Sequence, residues 1–140
     1  MKVIPPISIR LVTCILMVLA ASTFALATEL AGSEWRPTQI GSSAVLEQSK
    51  LFVQFKGDGK LAGHGGCNRF FGEYEISGSK IKIGPVGSTR MACPQPVMDL
   101  EMAFFTALET AKAFRRDKAG LMLFDAKGKE QVELIQTDWD

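Results

Sequence analysis

The chain has 140 residues, with 16 basic and 15 acidic side chains and a formal net charge of +1 at neutral pH. That balance argues against a protein that grips nucleic acid through a dense basic surface. The length suits one domain of ordinary size.

Residues 1–27 read as a signal peptide. "MKVIPPISIR" carries Lys2 and Arg10 and no acid, "LVTCILMVLAASTFALA" is almost wholly apolar, and "ALA" before Thr28 fits the small-x-small rule for cleavage. The apolar run is shorter than a comfortable bilayer span, and no basic stop-transfer cluster follows it. An uncleaved anchor helix is the competing reading. Cys14 sits inside the run, after Val12 and Thr13, so there is no lipobox. The expectation is an exported chain, periplasmic or secreted, with no transmembrane segment in its mature form. Loss of Lys2 and Arg10 leaves 14 basic against 15 acidic side chains, a net charge of −1 for residues 28–140.

Short β-type runs separated by glycine turns fill most of the remainder. "SEWRPTQI" predicts a first strand with Trp35 inward and Pro37 marking an edge or a bend. "KLFVQFKGDGKLAGHGGC" reads as a hairpin turning at Gly57-Asp58-Gly59, and the cluster Gly63, Gly65 and Gly66 suggests a bulge or a close backbone approach. "NRFFGEYEISGSKIKIGPV" is a second hairpin, turning at Ser77-Gly78-Ser79.

The period then changes. "PQPVMDLEMAFFTALETAKAF" spaces Val97, Leu100, Phe104, Leu108 and Ala111 as one face of a helix, with Pro94 and Pro96 at its start and Asp99 and Glu101 in its first turns. Met98, Met102 and Phe105 widen that face, which predicts heavy burial; a Met and Phe stripe at this spacing is core before it is a ligand pocket. "KAFRRDK", Lys112 to Lys118, reads as a solvated helix end and loop. "AGLMLFDAKGKEQVELIQ" is a third hairpin, turning at Ala126-Lys127-Gly128. Connections this short forbid parallel crossovers, so the expected fold is mainly β with one α-helix: a small antiparallel, partly open barrel packed on a single amphipathic helix.

Roughly 110 residues bury one modest core with a thin margin. Cys67, in "GHGGCNRFFGEY", and Cys93, in "TRMACPQP", are two cysteines in an exported chain, so a disulfide between them is expected. Closing a loop of about 27 residues would contribute about 3.5 kcal/mol on the chain-entropy account.

The run Gly66-Cys67-Asn68-Arg69-Phe70, then Gly72 and Tyr74, then Thr89-Arg90-Met91-Ala92-Cys93, followed by a helix with Glu101, Phe104, Phe105 and Leu108, resembles the META domain family, whose bacterial members include the heat-shock protein HslJ. The opening "ELAGSEWRPTQI" and closing "LMLFDAKGKEQVEL" resemble the family's ends, so the likeness spans nearly all of residues 30–136. It implies an exported β-rich domain similar to a cracked barrel, a Cys67–Cys93 pair, and association with envelope stress, antibiotic tolerance, motility or secretion rather than a defined reaction. Many members are lipoproteins, and the missing lipobox sets this chain apart. A related barrel occurs in secretion pilotins that bind lipid, but no motif here singles out a lipid site.

No catalytic residue is expected. His64 is the single histidine and lies three residues before Cys67, yet positions i and i+3 of a strand face opposite ways, and a disulfide removes the thiol. Two distant cysteines and one histidine do not make a zinc site, and "GDG" and "GHGG" lack the Lys-Ser/Thr and helix of a phosphate loop. No metal or cofactor is therefore expected. Asn68, Arg69 and Arg90 flank the cysteines and form a candidate rim for an anionic ligand or partner. The simpler reading has Asn68 hold a turn and the arginines satisfy loop carbonyls or pair with Glu73, Glu75 or Asp99. The functional expectation is a non-enzymatic envelope protein, monomeric, that binds an envelope protein or plays a structural role. The alternative is a carrier or pilotin-like chaperone for a lipid or apolar peptide, which requires a cavity lined by residues such as Met98, Met102, Phe104 or Phe105.

Overall fold

The computed structural model describes residues 2–3 and 30–137. The expected signal peptide, with Cys14, lies outside the described residues apart from Lys2 and Val3. Among the described residues no helix is long and apolar enough to cross a membrane.

Among the described residues, ten strands and one helix follow the pattern of turns. β1 (Ser33–Ile40) and the two-residue β2 (Ser43–Ala44) lead into the hairpin of β3 (Phe52–Phe55) and β4 (Lys60–His64). A second hairpin joins β5 (Arg69–Ser77) to β6 (Lys80–Ile83), and the short β7 (Gly87–Ser88) pairs back onto β5. α1 (Gln95–Thr110) comes next, then β8 (Ala113–Asp117), β9 (Gly120–Phe124) and β10 (Glu130–Gln136). The hairpin turns are closed by their own side chains: Asp58 Oδ1 accepts the Lys60 amide at 3.0 Å, and Asp125 Oδ1 accepts those of Lys127 and Lys129 at 2.9 Å.

All pairings are antiparallel, in the order β10-β9-β8-β6-β5-β4-β3-β1, and β1 pairs with β10 to close the ring. The thinnest seam is β6 against β8, joined at the single pair Lys80↔Ala113. This is the partly open antiparallel barrel that the pattern predicted. Alternation does the sorting, because residues two apart share a face. Trp35, Val53, Phe55, Leu61, Phe70, Leu121, Leu123, Val132 and Leu134 point inward and are at most 2% exposed, so side chains fill the ring. The helix adds Phe104 and Leu108, both 0% exposed, with Phe104 edge-on to Phe70 at 5.9 Å.

One local expectation is resolved and two are corrected. Pro37 marks a bend and not an edge: β1 lies between β3 and β10, and the register slips between Pro37 and Gln39. Lys112–Lys118 is not a helix end and loop. The helix stops at Thr110, Ala111 turns to extended geometry (φ −59, ψ 133), and Ala113–Asp117 becomes β8 because the ring needs a strand between β6 and β9. The basic side chains of that strand lie on aromatic rings, Arg116 at 5.2 Å from Trp35 and Arg115 at 5.7 Å from Phe124. Met102, expected to widen the buried face of the helix, is 65% exposed, while its neighbour Glu101 is buried at 4%.

Candidate functional site

The glycines after β4 shape the site. Gly65 donates its amide to the Asn68 carbonyl at 2.8 Å, and Gly66 sits at φ +109 and donates to His64 Nδ1 at 3.0 Å. A left-handed residue there is strained for anything but glycine. The turn carries Cys67 and Asn68 inward, where they are 4% and 3% exposed. Opposite them, α1 presents Glu101. Its Oε2 accepts the backbone amides of Cys67 (3.0 Å) and Asn68 (2.6 Å), and its Oε1 accepts Asn68 Nδ2 (2.7 Å). A Cβ on Gly65 would lie 2.6 Å from that carboxylate, so only glycine lets the helix close on the loop.

Asn68 relays this contact to the segment before Cys93. Its Oδ1 accepts the Met91 amide at 2.6 Å and the Thr89 hydroxyl at 3.0 Å, and its Nδ2 also donates to the Met91 carbonyl at 3.3 Å. Both amide protons and both lone pairs of the side chain are thus engaged. The Cys67–Cys93 disulfide, with Cα atoms 6.0 Å apart, ties the same two segments covalently. Glu101 has no cationic partner among the described residues; two backbone amides and a carboxamide solvate it, and burial without such donors would cost several kcal/mol. The sequence-level signal for Glu101 was present: an acid three residues before Phe104 and seven before Leu108, in line with an apolar stripe.

The arrangement is a clamp. The cysteines are oxidised, His64 is turned toward a backbone amide, and no cluster of three or more potential metal ligands occurs among the described residues. Asn68 lies inside rather than on a rim and bonds a segment 23 residues away, not a local turn. Arg69 and Arg90 are exposed, and neither makes an ion pair or side-chain hydrogen bond among the described residues. Glu73 is taken instead by Lys60, which holds the Glu73 carboxyl below the ordinary glutamate range through a hydrogen bond on the open surface. Elsewhere, burial and then the nearby Asp58 push the Tyr74 hydroxyl above its ordinary range; that hydroxyl donates to the Lys56 carbonyl at 2.6 Å.

Every residue of this clamp falls in the two cysteine-centred blocks or the helix after them. A META domain family model matches residues 28–138. The chain belongs to the META domain family. No curated protein matches it at a significant level. Among solved structures, this META domain is similar to a protein from Burkholderia xenovorans determined by NMR (TM-score 0.65, 21% identity, covering 86% of this chain and 94% of that one). It is also similar to a second NMR structure (TM-score 0.63, 20% identity, 78% and 92%). A third is a DUF4847 family protein from Bacteroides vulgatus (TM-score 0.59, 15% identity, 81% and 98%). At these identities the likeness concerns the fold.

Proposed function

We propose that this META domain is an exported, non-enzymatic envelope protein that acts by binding, or by a structural role, during envelope stress or antibiotic exposure. The observation that carries the reading is the use of the clamp. Its cysteines, Asn68 and Glu101 are all spent on holding loop to helix, while Arg69, Arg90, Phe71 (59% exposed) and Met91 (60% exposed) remain on the outside. A buried, saturated motif supports a scaffold; unpaired guanidinium groups beside exposed apolar side chains support a binding surface. The test is complementation of a host deletion strain under cell-wall antibiotics. Wild type should restore growth, and a folded Arg69→Glu/Arg90→Glu variant should not. Equal rescue by that variant would remove these arginines from the working surface.

A carrier for a lipid or apolar peptide is the second reading. The filled ring counts against it: Phe104 is core and Met102 faces solvent. In its favour stands an open groove of about 790 Å³ at the β6–β8 seam, whose floor includes Ile76, Ile81 and Ala113. Intact mass spectrometry of protein recovered from its host decides between them. A lipid-sized adduct lost on denaturation would put the carrier first; the bare, oxidised mass of residues 28–140 would leave the binding role in place.

A further inference from the structure

The outer wall of β3, β4 and β5 carries a second feature, which meets the clamp at the hydrogen bond from the Gly66 amide to His64 Nδ1. Two cross-strand rows face outward there: Phe52, His64 and Arg69 in one, Gln54, Ala62 and Phe71 in the next. Ala62 is the smallest side chain of the two rows, and the rows line an open hollow of about 430 Å³. Phe71 is fixed although exposed. It pairs with Gly87 of β7, where a Cβ would come within 2.5 Å of the ring, so the glycine makes room for the ring to lie against the backbone.

Among the described residues the donors of this wall lack an acceptor. His64 Nδ1 already accepts the Gly66 amide, so the ring proton sits on Nε2. Arg69 stands directly opposite on the neighbouring strand, and its guanidinium has no partner among the described residues. Among the described residues no carboxylate lines the hollow. The acid beyond Gln54, Glu34, is held by the Gln54 amide at 2.8 Å and the Thr137 hydroxyl at 3.1 Å. Two donors side by side with no acid between them complement an anion.

We infer that this wall is a binding site for an acidic saccharide, in which a pyranose ring lies on Phe71 and its carboxylate takes the fork of Arg69 beside His64 Nε2–H. The electron-rich face of Phe71 attracts the partly positive C–H face of a sugar ring. A planar fork suits a carboxylate better than a point charge does. The hollow is open to solvent and offers a single row of donors, which suits a polar ring with hydroxyls left in water better than an aromatic acid that depends on burial. This site gives a ligand class to the binding role proposed above and rests on that reading.

The test is an amide NMR titration of the purified, oxidised domain with trigalacturonate, neutral maltotriose, benzoate and inorganic phosphate. Trigalacturonate should shift the amides around His64, Arg69 and Phe71 and bind at least about tenfold more tightly than maltotriose, a difference of about 1.4 kcal/mol. Arg69→Gln should abolish the preference for the acid, and Phe71→Ala should weaken binding by about tenfold. Both side chains face outward, so the variants keep the fold, and their spectra verify it. Absence of shifts at about 10 mM, weaker than the millimolar end of specific recognition, would overturn the inference. So would equal binding of maltotriose, tighter binding of benzoate or phosphate, or unchanged binding by the two variants. A domain that fails this titration yet complements the deletion strain loses the saccharide site and keeps the binding role.

Discussion

Replacing Glu101 by Gln changes one oxygen for a nitrogen at a point where all three hydrogen-bonding neighbours are donors. In the native clamp the carboxylate accepts the amides of Cys67 and Asn68 and the Asn68 carboxamide at 2.6–3.0 Å. Hydrogen bonds to a charged acceptor contribute about 1.5–3 kcal/mol each, and neutral ones about 1 kcal/mol. The glutamine oxygen keeps the two backbone amides at the lower value, but its NH2 group then faces Asn68 Nδ2, donor against donor. Rotating Asn68 is no escape, because its Oδ1 already serves Met91 and Thr89. Relief from burying a charge without a cation returns part of the loss. The net expectation is a destabilisation of about 2.5 kcal/mol, a large share of the roughly 5–15 kcal/mol that holds a domain together. In a thermal melt followed by circular dichroism the midpoint should fall by about 10–15 °C. A cycle with Asn68→Ala should return a coupling of about 1–3 kcal/mol, since the two groups touch. A variant within about 0.5 kcal/mol of wild type, or strict additivity with Asn68→Ala, would refute the clamp.

Reduction of Cys67–Cys93, which closes a loop with a sequence separation of 26, should lower stability in a urea titration by about 3.5 kcal/mol; a change below about 1 kcal/mol would contradict the staple. Gly63→Ala places a Cβ 2.2 Å from the Phe52 carbonyl oxygen and 2.6 Å from the Phe70 ring, and should cost at least about 3 kcal/mol. Gly57→Ala, with nothing within 4 Å, should stay within about 0.5 kcal/mol in the same melt. Tyr74 is the single tyrosine of the chain, so tyrosinate absorbance reports it alone. Its folded pKa is raised, chiefly by burial, so its contribution is complete below the ordinary tyrosine range and is lost as pH rises through the folded value. The absorbance midpoint should lie above that of the unfolded chain, and Tyr74→Phe should remove this part of the alkaline destabilisation at a cost of about 1 kcal/mol at neutral pH.

What the sequence determined by itself was everything governed by short-range chemistry. Apolar alternation and glycine turns located the three hairpins, and the switch to three- and four-residue spacing located α1. The blocks around Cys67 and Cys93 carried the family, and parity with export anticipated their bond. What only the tertiary structure decided depended on partners distant in the chain. "AFRRD" has no strong period of its own and becomes β8 because closing the ring requires a strand there and because two aromatic rings accept its arginines. Pro37 read as an edge or a bend, and β10, arriving from the far end of the chain to pair there, makes it a bend. Glu101 looked like an acid marking the start of the helix and Met102 like core. Their exposure is reversed because two amides and a carboxamide, more than thirty residues earlier, solvate a buried carboxylate better than an apolar side chain could. Asn68 and its arginine neighbour, adjacent in sequence, part company for the same reason: the glycine turn sends one inward to finish the clamp and leaves the other on the outer wall.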